Sequence, residues 1–327
     1  MKRMKFSRGS ASVQLSRGFT LIELMIALVL GLVILAAGMA VYVSSSRSSQ
    51  VSQMETQLNE DGILALNLIQ QQIKQAGYSS QVIPSNGATV MGNYAGLAVR
   101  GCDNGFADAS LAFDSLSCNS SGGNGSAIAI RYEATADNTV PTSTGLPTNC
   151  IGNGINAVTA SQAAPAPAPP PGNYALADNR YLVSISSNQP ALSCRGAEGS
   201  GAVGGLEPLL ANVERMQILY GVASRPSREL AAAYDAMRHQ IVSYLDATSI
   251  DALPTTGVFP DETLDRWGRV LSVRVCLVMR SEQPVRDAPD GGFTYKDCNN
   301  ADATATDGYL RRTYTTTVLL RNRLIVQ

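Results

Sequence analysis

Arg17-Gly18-Phe19-Thr20-Leu21-Ile22-Glu23 opens an apolar run that continues to Val43, and this stretch decides how the chain is built. From Leu21 to Val43 the single charged side chain is Glu23. As a helix the run reaches roughly 30–35 Å, enough to cross a bilayer. Lys2, Arg3, Lys5, Arg8 and Arg17 precede it, with no acid among them. Such a bias predicts a cytoplasmic leader and an exported C-terminal bulk. A carboxylate in hydrocarbon costs about 3 kcal/mol or more, so Glu23 needs a partner or a purpose.

Three readings compete for the stretch. A secretory signal peptide would have a shorter apolar core and no Glu23, although Gly38-Met39-Ala40 could pass for its cleavage site. A plain membrane anchor accounts for length and basic flank but not for the order of residues from Gly18 to Glu23. Third, Gly18-Phe19-Thr20-Leu21-Ile22-Glu23-Leu24-Met25-Ile26-Ala27 resembles the processing site of type IV prepilins and of type II secretion pseudopilins. Glycine, aromatic residue, carboxylate and apolar run all occur in the order that site requires.

Composition limits the remainder. Of 327 residues only 16% are charged, and the net charge is −1. Removing the leader's five positive side chains leaves about −6, which argues against nucleic acid as a partner. Six cysteines, at 102, 118, 150, 194, 276 and 298, all follow the span. An even number in an exported region predicts up to three disulfides, with fifteen connectivities open; nearest neighbours give Cys102–Cys118, Cys150–Cys194 and Cys276–Cys298. With no CxxC spacing and one histidine, no metal and no cofactor are expected.

Residues 1–18 read as leader and 19–43 as the membrane-spanning part of a long helix. Over 44–78 apolar residues recur with helical spacing at Val51, Met54, Leu58, Leu66, Ile69 and Ile73, with Gln53, Glu55, Gln57, Gln70, Gln71 and Lys74 opposite. Asp61-Gly62 is a weak point and Ala76-Gly77 a stop. An exposed helix of that length would not hold, so its second part must lie on a domain. Residues 79–205 read as loop-rich and variable, with strands at Ala127–Tyr132 and Tyr181–Ile185 and a proline-rich segment over 163–171. Further strands are expected at Val213–Tyr220, Val270–Met279 and Tyr314–Leu320. Leu230, Tyr234, Met237, Ile241 and Leu245 predict an amphipathic helix between them. The fold class expected is α+β: one long helix on a mainly antiparallel sheet, with long loops.

No active site emerges, and an enzyme is not expected. His239 lacks a nucleophile elbow and is read on a solvated face. Asp103-Asn104-Gly105 and Asp287–Gly292 lack the ligand ladder of a calcium loop and are read as turns. Trp267 is read as a packing aromatic.

A second resemblance narrows the family. Leu206–Val222, Trp267-Gly268-Arg269-Val270-Leu271-Ser272-Val273-Arg274-Val275, Arg312-Thr313-Tyr314 and Leu320-Arg321-Asn322 are similar to the C-terminal region, 206–327 here, of PilW-type minor pilins. Lys74-Gln75-Ala76-Gly77-Tyr78 at the helix end is similar as well. The resemblance implies cleavage between Gly18 and Phe19 by a prepilin peptidase and N-methylation of Phe19. It implies that Glu23 pairs with the terminal amine of a neighbouring subunit. The implied role is initiating assembly of a type IV pilus and joining it at or near the tip. Implied partners are the major pilin, other minor pilins, the assembly platform and a tip adhesin. Implied locations are the inner membrane, with a periplasmic C-terminal domain, and then the pilus. The alternatives are a J-type pseudopilin of type II secretion and, in another class, a membrane-anchored periplasmic binding or enzymatic protein.

Overall fold

The computed structural model describes residues 18–82, 91–94, 96–159, 173–199, 201–226, 234–286 and 288–323. The chain forms two compact units, residues 1–52 and 53–327. The basic leader residues, the proline-rich segment 163–171, Leu230 and Asp287 lie outside the described residues.

Helix α1 runs Leu21–Gln75. In the second unit its buried residues are Leu58, Gly62, Ala65, Ile69 and Ile73, steps of three and four that trace one stripe. Each large apolar side chain so buried contributes about 1.5–3 kcal/mol. The stop expected at Ala76-Gly77 is present: Gly77 takes φ +75°, and its N–H donates to the Arg131 carbonyl at 2.8 Å. Glu133 fixes the segment that follows, accepting from the Ser79 hydroxyl at 2.9 Å and the Ser80 N–H at 2.6 Å.

The sheets follow. Strands β1 (Val99–Cys102), β2 (Ala127–Ala134), β3 (Asn173–Ser186), β4 (Gln189–Glu198) and β5 (Glu207–Ala211) pair antiparallel in that order. Two short strands, Val158–Thr159 on β3 and Ala202–Val203 on β4, complete seven. Strands β6 (Val213–Val222), β7 (Ser243–Leu245), β8 (Val270–Arg280) and β9 (Arg311–Leu319) form a four-stranded antiparallel sheet in the order β7-β6-β8-β9. The sheets are stitched where the Ser126 N–H donates to Met216 O at 2.7 Å and the Ile218 N–H to Ser126 Oγ at 3.1 Å. Gly125, at φ +109°, makes this possible, since a Cβ there would lie 2.2 Å from the Met216 carbonyl oxygen. One hydrophobic core joins both sheets and the α1 stripe, and the expected α+β architecture is what forms.

Three expectations need correction. The stretch 79–205 keeps the expected strands at 127 and 181 among its loops, but they belong to a larger sheet than expected, with further strands at Val99–Cys102 and Gln189–Glu198 and with the strand at 181 beginning at Asn173. The first part of β3 is hard to see because it buries Asp178, Asn179 and Arg180, polar residues that usually mark loops. Arg180 is fully buried because Asp178 pairs with it at 2.8 Å and the carbonyls of Ala109 and Leu111 accept its Nη1. Secondly, the periodicity 230–245 does not give one helix. Among its described residues only α2 (Ala236–His239) is helical, and Ser243–Leu245 pairs with Tyr220–Val222 instead. The open edge of β6 offers a backbone ladder that outweighs a weak local propensity, leaving Tyr234 and Met237 exposed. Thirdly, Gly62 is a contact rather than a weak point: a Cβ there would lie 2.4 Å from the Tyr314 ring. Asn59, one turn earlier, accepts from Tyr314 Oη at 2.9 Å and Arg312 Nη1 at 2.8 Å.

Helices α3 (Ala247–Asp251) and α4 (Glu262–Trp267) sit around Trp267. The ring of Trp267 meets Tyr220 edge-on at 5.0 Å, and its Nε1 donates to Asp251 at 2.8 Å. The Asp103 carboxylate, expected only to make a turn, caps α3 through the N–H groups of Ala247 and Thr248. Disulfides join Cys102–Cys118, Cys150–Cys194 and Cys276–Cys298. Asp265 is fully buried. Burial pushes its carboxyl up, but hydrogen bonds from Thr256, Arg269 and Phe259 outweigh that and hold it at about 2.

Two outcomes check this packing. Gly62→Ala should lower stability by about 1–3 kcal/mol, although helix propensity alone would add about 1 kcal/mol; a raised melting temperature would refute the Tyr314 contact. Asp265 carries a depressed folded pKa, so its contribution is present above about pH 4 and lost as pH falls toward 2. Asp265→Asn should therefore cost about 2 kcal/mol at pH 7, a deficit that closes between pH 4 and 2 in pH-resolved denaturant titrations.

Candidate functional site

With no catalytic constellation in the sequence, the site to build is the start of α1. Thr20 and Glu23 form a reciprocal cap. The Thr20 N–H and hydroxyl both donate to Glu23 Oε2, at 2.9 Å each, and the Glu23 N–H donates back to Thr20 Oγ1 at 3.3 Å. This is a capping box, which satisfies otherwise orphaned amides at a helix start. Its signature, Thr-x-x-Glu before an apolar run, stands in the sequence, but the reading above took Glu23 only as a carboxylate in search of a partner. Among the described residues only one of the two Glu23 carboxylate oxygens is engaged, Oε2.

The residues around this cap are bare. Phe19 is 88% exposed, and the apolar side chains from Leu21 to Val43 are exposed within their own unit. Among the described residues α1 is the one helix long and apolar enough to cross a membrane. Gly18, Gly31 and Gly38 each have nothing within 4 Å of where a Cβ would stand. The protomer's own packing therefore gives no reason for a glycine at any of the three. In a helix interior, glycine costs about 1 kcal/mol relative to alanine. Arg47 marks the end of the uncharged stretch and lines a shallow hollow with Met39, Ala40, Val43 and Ser44.

The other candidates are occupied by structure. His239 Nδ1 accepts from the Asp235 N–H at 3.0 Å, and its ring stacks on Tyr234 at 5.5 Å. No serine or cysteine nucleophile pairs with it among the described residues, and all six cysteines are in disulfides. Among the described residues no three of His, Cys, Asp and Glu gather as a metal-binding group. Trp267 is buried, where it packs the core.

Comparison with known proteins agrees with both ends of this description. The family model described as Type IV Pilus-assembly protein W matches residues 180–322, and the Prokaryotic N-terminal methylation motif matches residues 14–39. A solved structure, a type IV-like pilin from Thermus thermophilus, is similar at 13% identity over 82% of this chain and 98% of that one. Its TM-score of 0.39 is too low to carry inference. No curated protein matches the chain. The chain thus joins an N-terminal methylation motif at the start of its apolar helix to a PilW region over residues 180–322, which takes in Arg180, Trp267 and the whole four-stranded sheet.

Proposed function

We propose that the protein is a non-catalytic minor pilin that takes part in initiating type IV pilus assembly and is incorporated at or near the tip. A prepilin peptidase removes residues 1–18 and Phe19 is N-methylated. The processed protein waits in the inner membrane with its C-terminal unit in the periplasm. Residues 19–43 span the bilayer and then pack among the helices of other subunits. Residues 44–78 and the β-rich remainder, with 206–327 as the PilW-like part, are carried outward. The partners are the major pilin, sibling minor pilins, the assembly platform and a tip adhesin.

The observation that carries this reading is the start of α1, where Phe19 and a bare apolar stretch have no partner in their own unit while Glu23 is the stretch's lone charge. Gly18 supports processing: the fold does not ask for it, so the demand for a small residue comes from outside, from an enzyme that must fit the peptide bond. Gly31 and Gly38, equally unexplained from within, suit close approach of helices in an apolar bundle. The capping box leaves one carboxylate oxygen of Glu23 for a subunit's terminal amine, and a buried charge with a fixed partner sets register. Three disulfides fit an oxidising compartment.

N-terminal sequencing of the membrane-bound and sheared-pilus forms should begin at Phe19, and Gly18→Leu should leave the leader attached. Normal processing of that variant would sink the proposal. Glu23→Ala should be processed at near the wild-type rate yet lower piliation by tenfold or more in shearing assays. Loss of protein secretion with intact pili would move the assignment to a secretion pseudopilin. Thr20→Val should remove the cap alone, costing about 1 kcal/mol of helix stability, and weaken assembly less than Glu23→Ala does.

A further inference from the structure

Among the described residues, the four-stranded sheet has one long edge that no other strand pairs. Strand β9 (Arg311–Leu319) pairs β8 along its whole length with no break in register, and among the described residues no strand pairs its other side. Leu320 N donates to Leu271 O, so even-numbered residues of β9 turn their backbone groups toward β8. Thr313, Thr315, Thr317 and Leu319 therefore turn theirs outward. Among the described residues the other edges of the two large sheets are blunt: β7 has three residues, β1 four, and the far side of β4 is shared by two short strands. Stable monomers blunt long edges with proline, lysine, bulges or a covering element. Between Thr313 and Leu319 there is no proline, charge or bulge. The hairpin Phe293–Ala305 crosses the outer face, bonded at Thr313 and, through Asn299, at Gln217, with Cys298 joined to Cys276.

An apolar shelf accompanies this edge. Asn59 bonds Tyr314 and Arg312 from α1, and Ile63, one turn further on that side of the helix, is 57% exposed. On the outer face Leu319 is 49% exposed beside exposed Thr315 and Thr317. An added strand would set alternate side chains against Ile63 on one face and Leu319 on the other. Exposed Arg312 and Arg321 stand at the two ends.

We propose that the free edge of β9 receives an extended segment of a different protein, rich in β-branched residues and carrying a carboxylate at each end. Backbone groups supply affinity, the Ile63 and Leu319 shelves supply register, and the two arginines select charge. A second copy fits poorly. Pairing of β9 with itself, antiparallel about Thr315, brings Arg312 of one copy beside Val318 of the other, close to that copy's Arg321, at both ends. Like charges there oppose it. This inference does not need the pilus-assembly reading and stands or falls on the edge alone.

The test uses the detergent-solubilised full chain and a fluorescein-labelled seven-residue peptide of alternating valine and threonine between terminal glutamates, followed by anisotropy. Saturable binding is expected. Thr317→Pro removes an N–H that faces away from β8, so the ladder survives and binding should weaken tenfold or more. Thr317→Val should bind within twofold of wild type, and a lysine-ended peptide severalfold more weakly. If Thr317→Pro does not fold, the peptide N-methylated at alternate residues takes its place and must lose the same affinity. Absence of saturable binding, equal affinity for Thr317→Pro, or equal affinity for the lysine-ended peptide would overturn the proposal. So would self-association of the wild-type chain in sedimentation that Thr317→Pro abolishes, which would make a second copy the occupant.

Discussion

The stripe Leu58, Gly62, Ala65, Ile69 and Ile73 has to stay against the sheets, because a helix of this kind does not hold itself together in water. The rest of the C-terminal unit is arranged around that requirement. Gly62 brings the helix down onto Tyr314, and Asn59 ties the same spot with hydrogen bonds to Tyr314 and Arg312. At the far end Asn322 donates to the carbonyls of Lys74 and Gln75, at 2.9 and 3.3 Å, groups that no helical amide can reach. Gly77 and Glu133 anchor the exit to β2. The core runs without interruption from this stripe through both sheets to Trp267.

The N-terminal unit answers the same physical question differently. From Leu21 to Val43 the apolar side chains have no partner among the described residues of their own unit, a bare surface that suits lipid or other chains. The helix start is nonetheless finished internally, by Thr20 and Glu23. A carboxylate used as a cap is held in one rotamer before any partner arrives, which lowers the ordering cost of a later contact. Glu23 is thus a local solution, and in the proposed function it is an outward offer as well.

Much of this was legible in the sequence, and the parts that were not have a common cause. The long helix, its stop at Gly77 and the strands at 127, 213, 270 and 314 follow from apolar periodicity, because their burial is local and regular. The first part of strand β3, ahead of the expected Tyr181–Ile185, hid because Asp178, Asn179 and Arg180 look like a loop until Ala109 and Leu111, roughly seventy residues away, supply acceptors. The segment 230–245 misled because its helical spacing competes with an edge of β6 that no local window contains. At the N-terminus the residue order is readable, and the capping role of Glu23 is written in the same residues as Thr20-x-x-Glu23. Periodicity reports what a segment buries; it does not report which distant backbone is waiting for it.

Glycines separate the two kinds of constraint. Gly62 and Gly125 are required from within, since a methyl group would strike the Tyr314 ring or the Met216 carbonyl. Gly18, Gly31 and Gly38 meet nothing, and two of them weaken a helix that has no internal packing to compensate. Inside a folded unit, steric need explains a glycine; in a bare helix the same residue has to be explained by something that is not yet there. In the proposed function an enzyme's narrow site for Gly18, and neighbouring helices for Gly31 and Gly38, would provide that explanation. The edge of β9, unpaired on one side among the described residues, poses the same question in backbone form, and the strand proposed to join it from another chain is an answer of the same kind.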